Sequence, residues 1–240
     1  MSTLTAEDLE LLKRYDTPTI DNVIELFDVR PRNTGFMDPR IKACFPDLPP
    51  MVGFATTATF RSGSPPRGGE VYASLDAQVK ALLEIPAPRV VVFQDLDDQA
   101  VGATFGEVMC TTYKAFGGVG IITSGGGRDL DQVRSIEFPA FVQSVISSHA
   151  YCQIVDINVP VRVGGVTIHP GDLIHGDLNG VTTIPKEIAG AVGRTCDPFI
   201  KAEEHVLHYV RQPGATPEGF SEARARMTAA VAELKKKVRG

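Results

Sequence analysis

Residues 102–131 read GATFGEVMCTTYKAFGGVGIITSGGGRDLD. Phe105 to Phe116 carry a helical pattern behind a glycine-rich entry. Val119-Gly120-Ile121-Ile122-Thr123 is a short apolar run that suits a buried strand. The run ends in Ser124-Gly125-Gly126-Gly127-Arg128-Asp129, read as a loop, and a short helix follows through Val133. Helix, buried strand and glycine-rich loop in this order are the working parts of a mixed α/β domain.

The flanking sequence repeats these parts. Upstream, Pro86 and Pro88 introduce Arg89-Val90-Val91-Val92-Phe93-Gln94, a second buried strand. Leu75 to Leu83 read as a helix, and the β-branched content from Val52 to Phe60 predicts a strand. Between them, residues 61–69 are rich in Gly and Pro and read as a mobile loop. Downstream, Ala140 to Ile146 form a further strand. From Ile154 to Ile184, apolar residues alternate around turns at Gly164-Gly165 and Pro170-Gly171, which predicts antiparallel hairpins. The resulting fold class is mixed α/β, with sheet layers covered by helices.

The two ends are helical. Thr5 caps a helix over 5–14, with Asp8 in the reciprocal position of a capping box. Thr17-Pro18-Thr19 breaks it, and a second helix runs from Ile20 to Phe27 with Ile20, Val23, Ile24 and Phe27 on one face. Residues 28–52 hold five prolines and read as a packed surface loop. Pro185 to Ala191 start a helix, and another begins after Asp197-Pro198 and reaches Val210. Pro213, Gly214 and Pro217 interrupt before a last charged helix. These elements make one domain over 1–240, with a helical extension over about 1–27 and C-terminal helices over about 198–240.

Bulk properties narrow the function classes. The net charge is −5, and the basic block is confined to Lys235, Lys236 and Lys237. No nucleic-acid footprint follows from that; lysines suit a solvated helix end. Cys44, Cys110, Cys152 and Cys196 are far apart, with no Cys-x-x-Cys pair, so neither a zinc site nor a disulfide framework is expected. The N-terminus lacks the basic and apolar segments of a leader. No run approaches eighteen apolar residues, so no membrane span is expected. A cytoplasmic location is the simplest expectation.

Chemistry concentrates in the quoted stretch. Gly106-Glu107 and Arg128-Asp129 are separated by the twenty residues 108–127. A helix and a strand of that combined length return the chain to its starting end. Free N–H groups near Val108 and Met109 would hold an anion at the helix start. Arg128 could stabilise developing negative charge on oxygen. Asp129 could hold a divalent cation, and Glu107 a water on it. The competing reading is a surface ion pair beside a glycine turn. Three consecutive glycines suggest positive φ or close approach by a ligand.

Other polar residues carry weaker signals. His149, His169, His175, His205 and His208 form no ligand triad in sequence. Lys80, Lys114 and Lys186 have nothing around them that marks a Schiff-base lysine. Asp172 and Asp177 are explained by turns. Gly125-Gly126-Gly127 lacks the Lys-Ser/Thr of a phosphate loop, and no Gly-x-Gly-x-x-Gly is present.

The segment resembles the family of 4-hydroxy-4-methyl-2-oxoglutarate and 4-carboxy-4-hydroxy-2-oxoadipate aldolases, which also holds the regulator of ribonuclease E activity A. Its aldolases carry Gly-Asp, twenty residues, then Arg-Asp; here Gly106-Glu107 and Arg128-Asp129 match. Val163-Gly164-Gly165-Val166, Pro170 to Ile174, Gly176-Asp177 and Gly180-Val181 through Pro185 are similar as well, as is the helix entry over Thr17 to Val23. The likeness covers roughly 15–210. Two departures stand out: Glu107 replaces the usual Asp, and Ser124-Gly125 replaces Asp-Gly. The extra methylene moves the carboxylate by about 1.5 Å.

The resemblance implies a swivelling β/β/α fold, assembled as a homotrimer or homohexamer. It implies a metal-dependent lyase that cleaves a 4-hydroxy-2-oxo acid to pyruvate, or decarboxylates oxaloacetate, through an enolate. Mg²⁺ or Mn²⁺ would sit on Asp129, with Glu107 holding a metal-bound water. Arg128 would neutralise the enolate oxygen, and the segment Gly106, Val108 and Met109 would bind the substrate carboxylate. Glu203 or Glu204, from a neighbouring subunit, would complete the site. The alternative is a non-catalytic regulator of ribonuclease activity that binds a protein partner; an acid kept at position 107 favours the enzyme.

Overall fold

The computed structural model describes residues 4–68 and 74–240. Helices α1 (Ala6–Leu12) and α2 (Thr17–Phe27) precede strands β1 (Lys42–Ala43) and β2 (Met51–Arg61). Then come α3 (Leu75–Leu82), β3 (Arg89–Asp95), β4 (Ala103–Phe105), α4 (Glu107–Ala115), β5 (Gly118–Gly127), α5 (Leu130–Ser135) and β6 (Ala140–Val145). Strands β7 (Gln153–Ile157), β8 (Val161–Val163), β9 (Val166–Ile168), β10 (Leu173–Asp177) and β11 (Gly180–Ile184) follow, and α6 (Ala189–Val210) and α7 (Pro217–Arg239) close the chain. They form two compact units, Met1–Arg32 with Lys186–Gly240 and Asn33–Pro185. The stretches read as an N-terminal extension and as C-terminal helices both fall in the first.

In the helical unit, the Thr5–Asp8 capping box is present, with the Asp8 N–H donating to Thr5 Oγ1 at 3.1 Å. Thr17-Pro18-Thr19 is the start of α2 rather than a break. Asp16 caps it by accepting the Thr19 N–H at 2.7 Å. Proline is tolerated in a first turn because its missing N–H would have no helical partner there. The expected break at Asp197-Pro198 is also absent, since α6 runs through Pro198. An internal proline costs about 3 kcal/mol. Burial of Val192, Cys196, Phe199 and Ala202 along one face of α6 offsets that cost. Tyr15 also bonds Asp197, and burial, followed by this bond, pushes its hydroxyl up to about 12.

The second unit is built on one mixed sheet in the order β1-β6-β5-β3-β2-β10-β11. Strands β2, β3, β5 and β6 pair in parallel, whereas β10 pairs antiparallel with β2 and β11. The apolar runs explain why. Val91, Phe93 and Ile121 point to one face, where Leu82 of α3, Met109 and Tyr113 of α4 and Val133 of α5 cover them. Val90, Val92 and Ile122 point to the other face, onto Val161, Val163 and Ile168 of the β8–β9 hairpin. Hairpin, sheet and helices therefore stack as the expected β/β/α layers.

Local readings are revised in three places. Pro170-Gly171 joins β9 to β10, which lie in different sheets, so no hairpin forms there. Part of the loop over 61–69 is tied down: Asp97 Oδ2 accepts the N–H groups of Ser62 at 2.6 Å and Gly63 at 2.8 Å. Gly69 lies outside the described residues. Most important, Ser124 to Gly127 is strand, not loop. Gly126 and Gly127 pair with Ala103 and Phe105 of β4 on one side and with Ser144 and Val145 of β6 on the other. None of these three glycines has positive φ. Their hydrogens are needed because neighbours press in. A Cβ at Gly125 would meet Asp95 Oδ2 and Thr104 Oγ1, both at 2.5 Å, and one at Gly127 would meet the Phe105 ring at 2.5 Å.

Two outcomes follow. Gly127→Ala should lose about 1–3 kcal/mol of stability through overpacking, read by urea denaturation; an unchanged midpoint would contradict this packing. Asp95 Oδ2 is buried without a hydrogen-bond partner, and burial, with the charge of Asp97, pushes the carboxyl up to about 6. Because the folded value lies above the unfolded one near 3.8, the stabilising contribution of the protonated form is full at low pH. It is lost as pH rises through about 6. Asp95→Asn should thus melt about 2–4 °C above wild type at pH 8, and the gap should close at pH 4. Equal melting at both pH values would refute it.

Candidate functional site

The pairing of β4 with the end of β5 decides the site. It sets Phe105 beside Gly127, so the residues that follow each, Gly106-Glu107 and Arg128-Asp129, emerge side by side. The Arg128 N–H donates to the Phe105 carbonyl at 3.2 Å. Asp129 takes a left-handed conformation with φ of 54° and caps α5. That turn directs its carboxylate to α4, where Oδ2 accepts the Glu107 N–H at 3.0 Å. Arg128 Nε lies 3.7 Å from the same oxygen. The two motifs separated by twenty residues are in direct contact.

Gly106 makes this approach possible. A Cβ there would stand 2.5 Å from Asp129 Oδ2 and 3.0 Å from Arg128 Nε. Beyond it, the Glu107 amide is taken by Asp129, and the Cys110 amide bonds the Gly106 carbonyl. Val108 and Met109 carry the remaining first-turn N–H groups, which have no partner within a helix. Side-chain exposures of 29% for Arg128 and 37% for Asp129 leave both within reach of a small ligand.

A cavity of about 320 Å³ opens here. Its polar end is Arg128 and Asp129; Leu75, Phe105, Val108 and Met109 supply apolar wall, and His149 and Cys152 also line it. The volume is at the small end of ligand pockets, roughly 300–1,000 Å³. Glu107 is exposed and is not part of the lining, so the structure brings together Gly106, Val108, Met109, Arg128 and Asp129 but places the Glu107 side chain outside. Glu203 and Glu204 lie on α6 in the helical unit. Glu204 is exposed and pairs with Arg211 at 3.5 Å. The Glu203 carboxyl is pushed up by burial and by the charge of Asp16. Reading along the chain names His149 only among histidines without a ligand triad, and the structure places it at the cavity. Its place depends on the Ala103 N–H donating to the Ser148 carbonyl at 2.8 Å, across 45 residues that carry no shared motif.

Among the described residues, no three His, Cys, Asp or Glu side chains converge as a metal cage. A cation at Asp129 would have one direct protein ligand, the rest being water and substrate oxygens, a manner of binding common for Mg²⁺. No described helix is long and apolar enough to cross a membrane.

Residues 19–183 match the model of the RraA-like family, described as Aldolase/RraA. The chain belongs to the RraA-like family. A Halalkalibacterium halodurans protein, provisionally named a 4-hydroxy-4-methyl-2-oxoglutarate aldolase, is 37% identical over 111 residues, which are 46% of this chain and 52% of that relative. One from Ectopseudomonas mendocina with the same provisional name is 29% identical over 46% of this chain and 69% of its own. The chain thus spans about half the length of the first relative. Among solved structures, Streptomyces coelicolor RraAS2, described as an unusual member of the RNase ES inhibitor RraA protein family, superposes with a TM-score of 0.65. It is 25% identical, with 87% of this chain and 99% of that one covered. An uncharacterised Pseudomonas syringae protein, 22% identical, shares the fold at a TM-score of 0.72 over 93% of this chain and 95% of its own.

The Gly106 contact is open to test. Gly106→Ala should break the Glu107–Asp129 hydrogen bond, so the Glu107 amide should exchange with deuterium about tenfold faster, or more. The circular-dichroism spectrum should stay as in wild type. Unchanged exchange would show that Asp129 does not depend on the missing side chain.

Proposed function

We propose that this RraA-like chain is a carbon–carbon lyase that cleaves a 4-hydroxy-2-oxo acid to pyruvate. One observation carries the reading: the Glu107 N–H bond to Asp129 Oδ2 sets a guanidinium, a carboxylate and a helix N-terminus at one end of a small, otherwise mostly apolar cavity. The provisional aldolase names of the relatives agree with it.

Each residue has a task in that reaction. The Val108 and Met109 amides receive the substrate carboxylate at the positive end of α4. Arg128 faces the 2-oxo oxygen and stabilises the negative charge that grows there as the C3–C4 bond breaks. The apolar wall excludes water and strengthens that interaction. Asp129 has Oδ2 engaged by the Glu107 amide, and its other oxygen would hold Mg²⁺ or Mn²⁺. When bound, such a cation supplies Lewis-acid polarisation of the 2-oxo group. Oxaloacetate carries the same 2-oxo acid head, so its decarboxylation falls within the same chemistry. A homotrimer or homohexamer, with Glu203 or Glu204 reaching a neighbouring subunit, belongs to this proposal.

A second reading, a regulator that binds a protein partner and does no chemistry, draws on the likeness to the Streptomyces protein. Pyruvate release from a panel of 4-hydroxy-2-oxo acids and oxaloacetate separates the two. The lyase should be active with Mg²⁺ or Mn²⁺ and silenced by chelator. Arg128→Ala should lower kcat by about 10²–10³ while keeping Mn²⁺ affinity in calorimetry. Asp129→Ala should lose both. A wild type inert on every substrate would remove the lyase reading.

A further inference from the structure

We propose that the cavity selects 4-hydroxy-2-oxo acids whose C4 carries an apolar group rather than a second carboxylate, with Leu75 and Met109 setting that choice. The inference rests on the lyase reading of this cavity and names its substrate class. Among the described residues that line it, only Arg128 bears a permanent positive charge, and the 2-oxo acid head uses it. His149 has no permanent charge, and its Nδ1 lies 2.7 Å from the Ala150 carbonyl oxygen. Residues 1–3 and 69–73 lie outside the described ones; they read MST and GEVYA and hold no Lys, Arg or His. They therefore add no second side-chain cation.

The apolar part of the wall has a direction. Leu75, Met109 and Cys152 also line a neighbouring void of about 10 Å³, which touches neither Arg128 nor Asp129. The apolar end thus lies away from the charged one, where the C4 substituent of a substrate held by its head would point. The polar residues of that void offer a carboxylate nothing. Ser74 Oγ donates to the Ile154 carbonyl at 3.1 Å. Gln153 Nε2 donates to the carbonyls of Ser64 at 2.7 Å and Tyr151 at 3.0 Å, which uses both of its hydrogens. A carboxylate here would lose water without gaining a donor, whereas an alkyl group would gain by burial. Met109 is buried and its thioether chain adapts to irregular apolar shapes. Leu75, half-buried at the start of α3, closes the same end.

The cleavage balances for such a substrate. The C3–C4 bond breaks and its electron pair forms the enolate of pyruvate. The C4 hydroxyl oxygen becomes the carbonyl of an apolar aldehyde or ketone. The proton lost from that hydroxyl is matched by one taken up at C3.

Two 2-oxo acids that lack the C4 hydroxyl separate recognition from reactivity. 2-Oxo-5-methylhexanoate carries an isopropyl group on C4, and 2-oxoglutarate a carboxylate of nearly the same shape. By calorimetry with Mg²⁺ present, wild type should bind the first about tenfold tighter, or more. Leu75→Lys should move the preference toward 2-oxoglutarate by about tenfold, because its ammonium supplies the missing charge from a half-exposed position. Met109→Ala should join the void to the cavity and favour 2-oxo acids one methylene longer by about tenfold. Should Met109→Ala fail to fold, as read by circular dichroism, Leu75→Lys still decides. A wild type that binds 2-oxoglutarate as tightly as 2-oxo-5-methylhexanoate would show that another group, His149 included, supplies a second charge, and would overturn the proposal. Pyruvate release from 4-hydroxy-2-oxoglutarate in that case would leave the lyase reading intact. An unchanged preference in Leu75→Lys would overturn the assignment of the apolar end. A wild type that binds neither acid and releases pyruvate from no 4-hydroxy-2-oxo acid would overturn the lyase reading, and this selectivity with it.

Discussion

A single hydrogen bond, from the Glu107 amide to Asp129 Oδ2, organises the site, and it exists because side chains are missing around it. Gly106 lets the carboxylate approach α4; Gly127 lets the Phe105 ring lie beside β5. Arg128 inherits its position from the same pairing through the Phe105 carbonyl. Charge and backbone reinforce one another here. The carboxylate of Asp129 sits at the positive end of α4, where a negative group is favoured by about 0.3–1 kcal/mol. Its own left-handed φ points it there.

The rest of the fold holds this arrangement still. The central strands are buried on both faces, with α3, α4 and α5 on one side and the β8–β9 hairpin on the other. The strand ends therefore have little freedom to shift. Ligand sites of open α/β sheets lie beyond the carboxyl ends of parallel strands, where helices begin. Here β5 ends at Gly127 and α4 starts at Glu107, so the strand end and the helix start meet at one cavity. The half-buried Asp95, with its Oδ2 enclosed, is a polar group that packing forces on the same region. It presses against Gly125 and lacks a partner for Oδ2, so the tight end of β5 carries an electrostatic cost in neutral solution.

The Glu at position 107, where the resemblance implies Asp, has a physical consequence. The backbone N–H of Glu107 keeps its bond to Asp129, since that contact does not involve the side chain. The longer carboxylate is exposed instead of lining the cavity. What the site retains in the wall is an imidazole from the loop after β6.

Much was legible in the residues alone. The runs Arg89 to Gln94 and Val119 to Thr123, the Thr5–Asp8 box and the spacing of Gly106-Glu107 to Arg128-Asp129 each report on neighbours within a turn, a strand or one helix–strand unit. Those signals are local, so they survive in a linear string. The family motif extended that reach to the β/β/α layers and to the pairing of the two acidic motifs. Tertiary structure alone decided the rest. Gly125 to Gly127 continue β5 because Asp95, Thr104 and Phe105 crowd them, and α6 runs through Pro198 because one of its faces is buried. The Glu107 side chain is exposed, and His149 reaches the cavity because β4 holds its loop. Each of these depends on close approach between residues remote in the chain, and a pattern that repeats every two or 3.6 residues carries no record of distance between its distant parts.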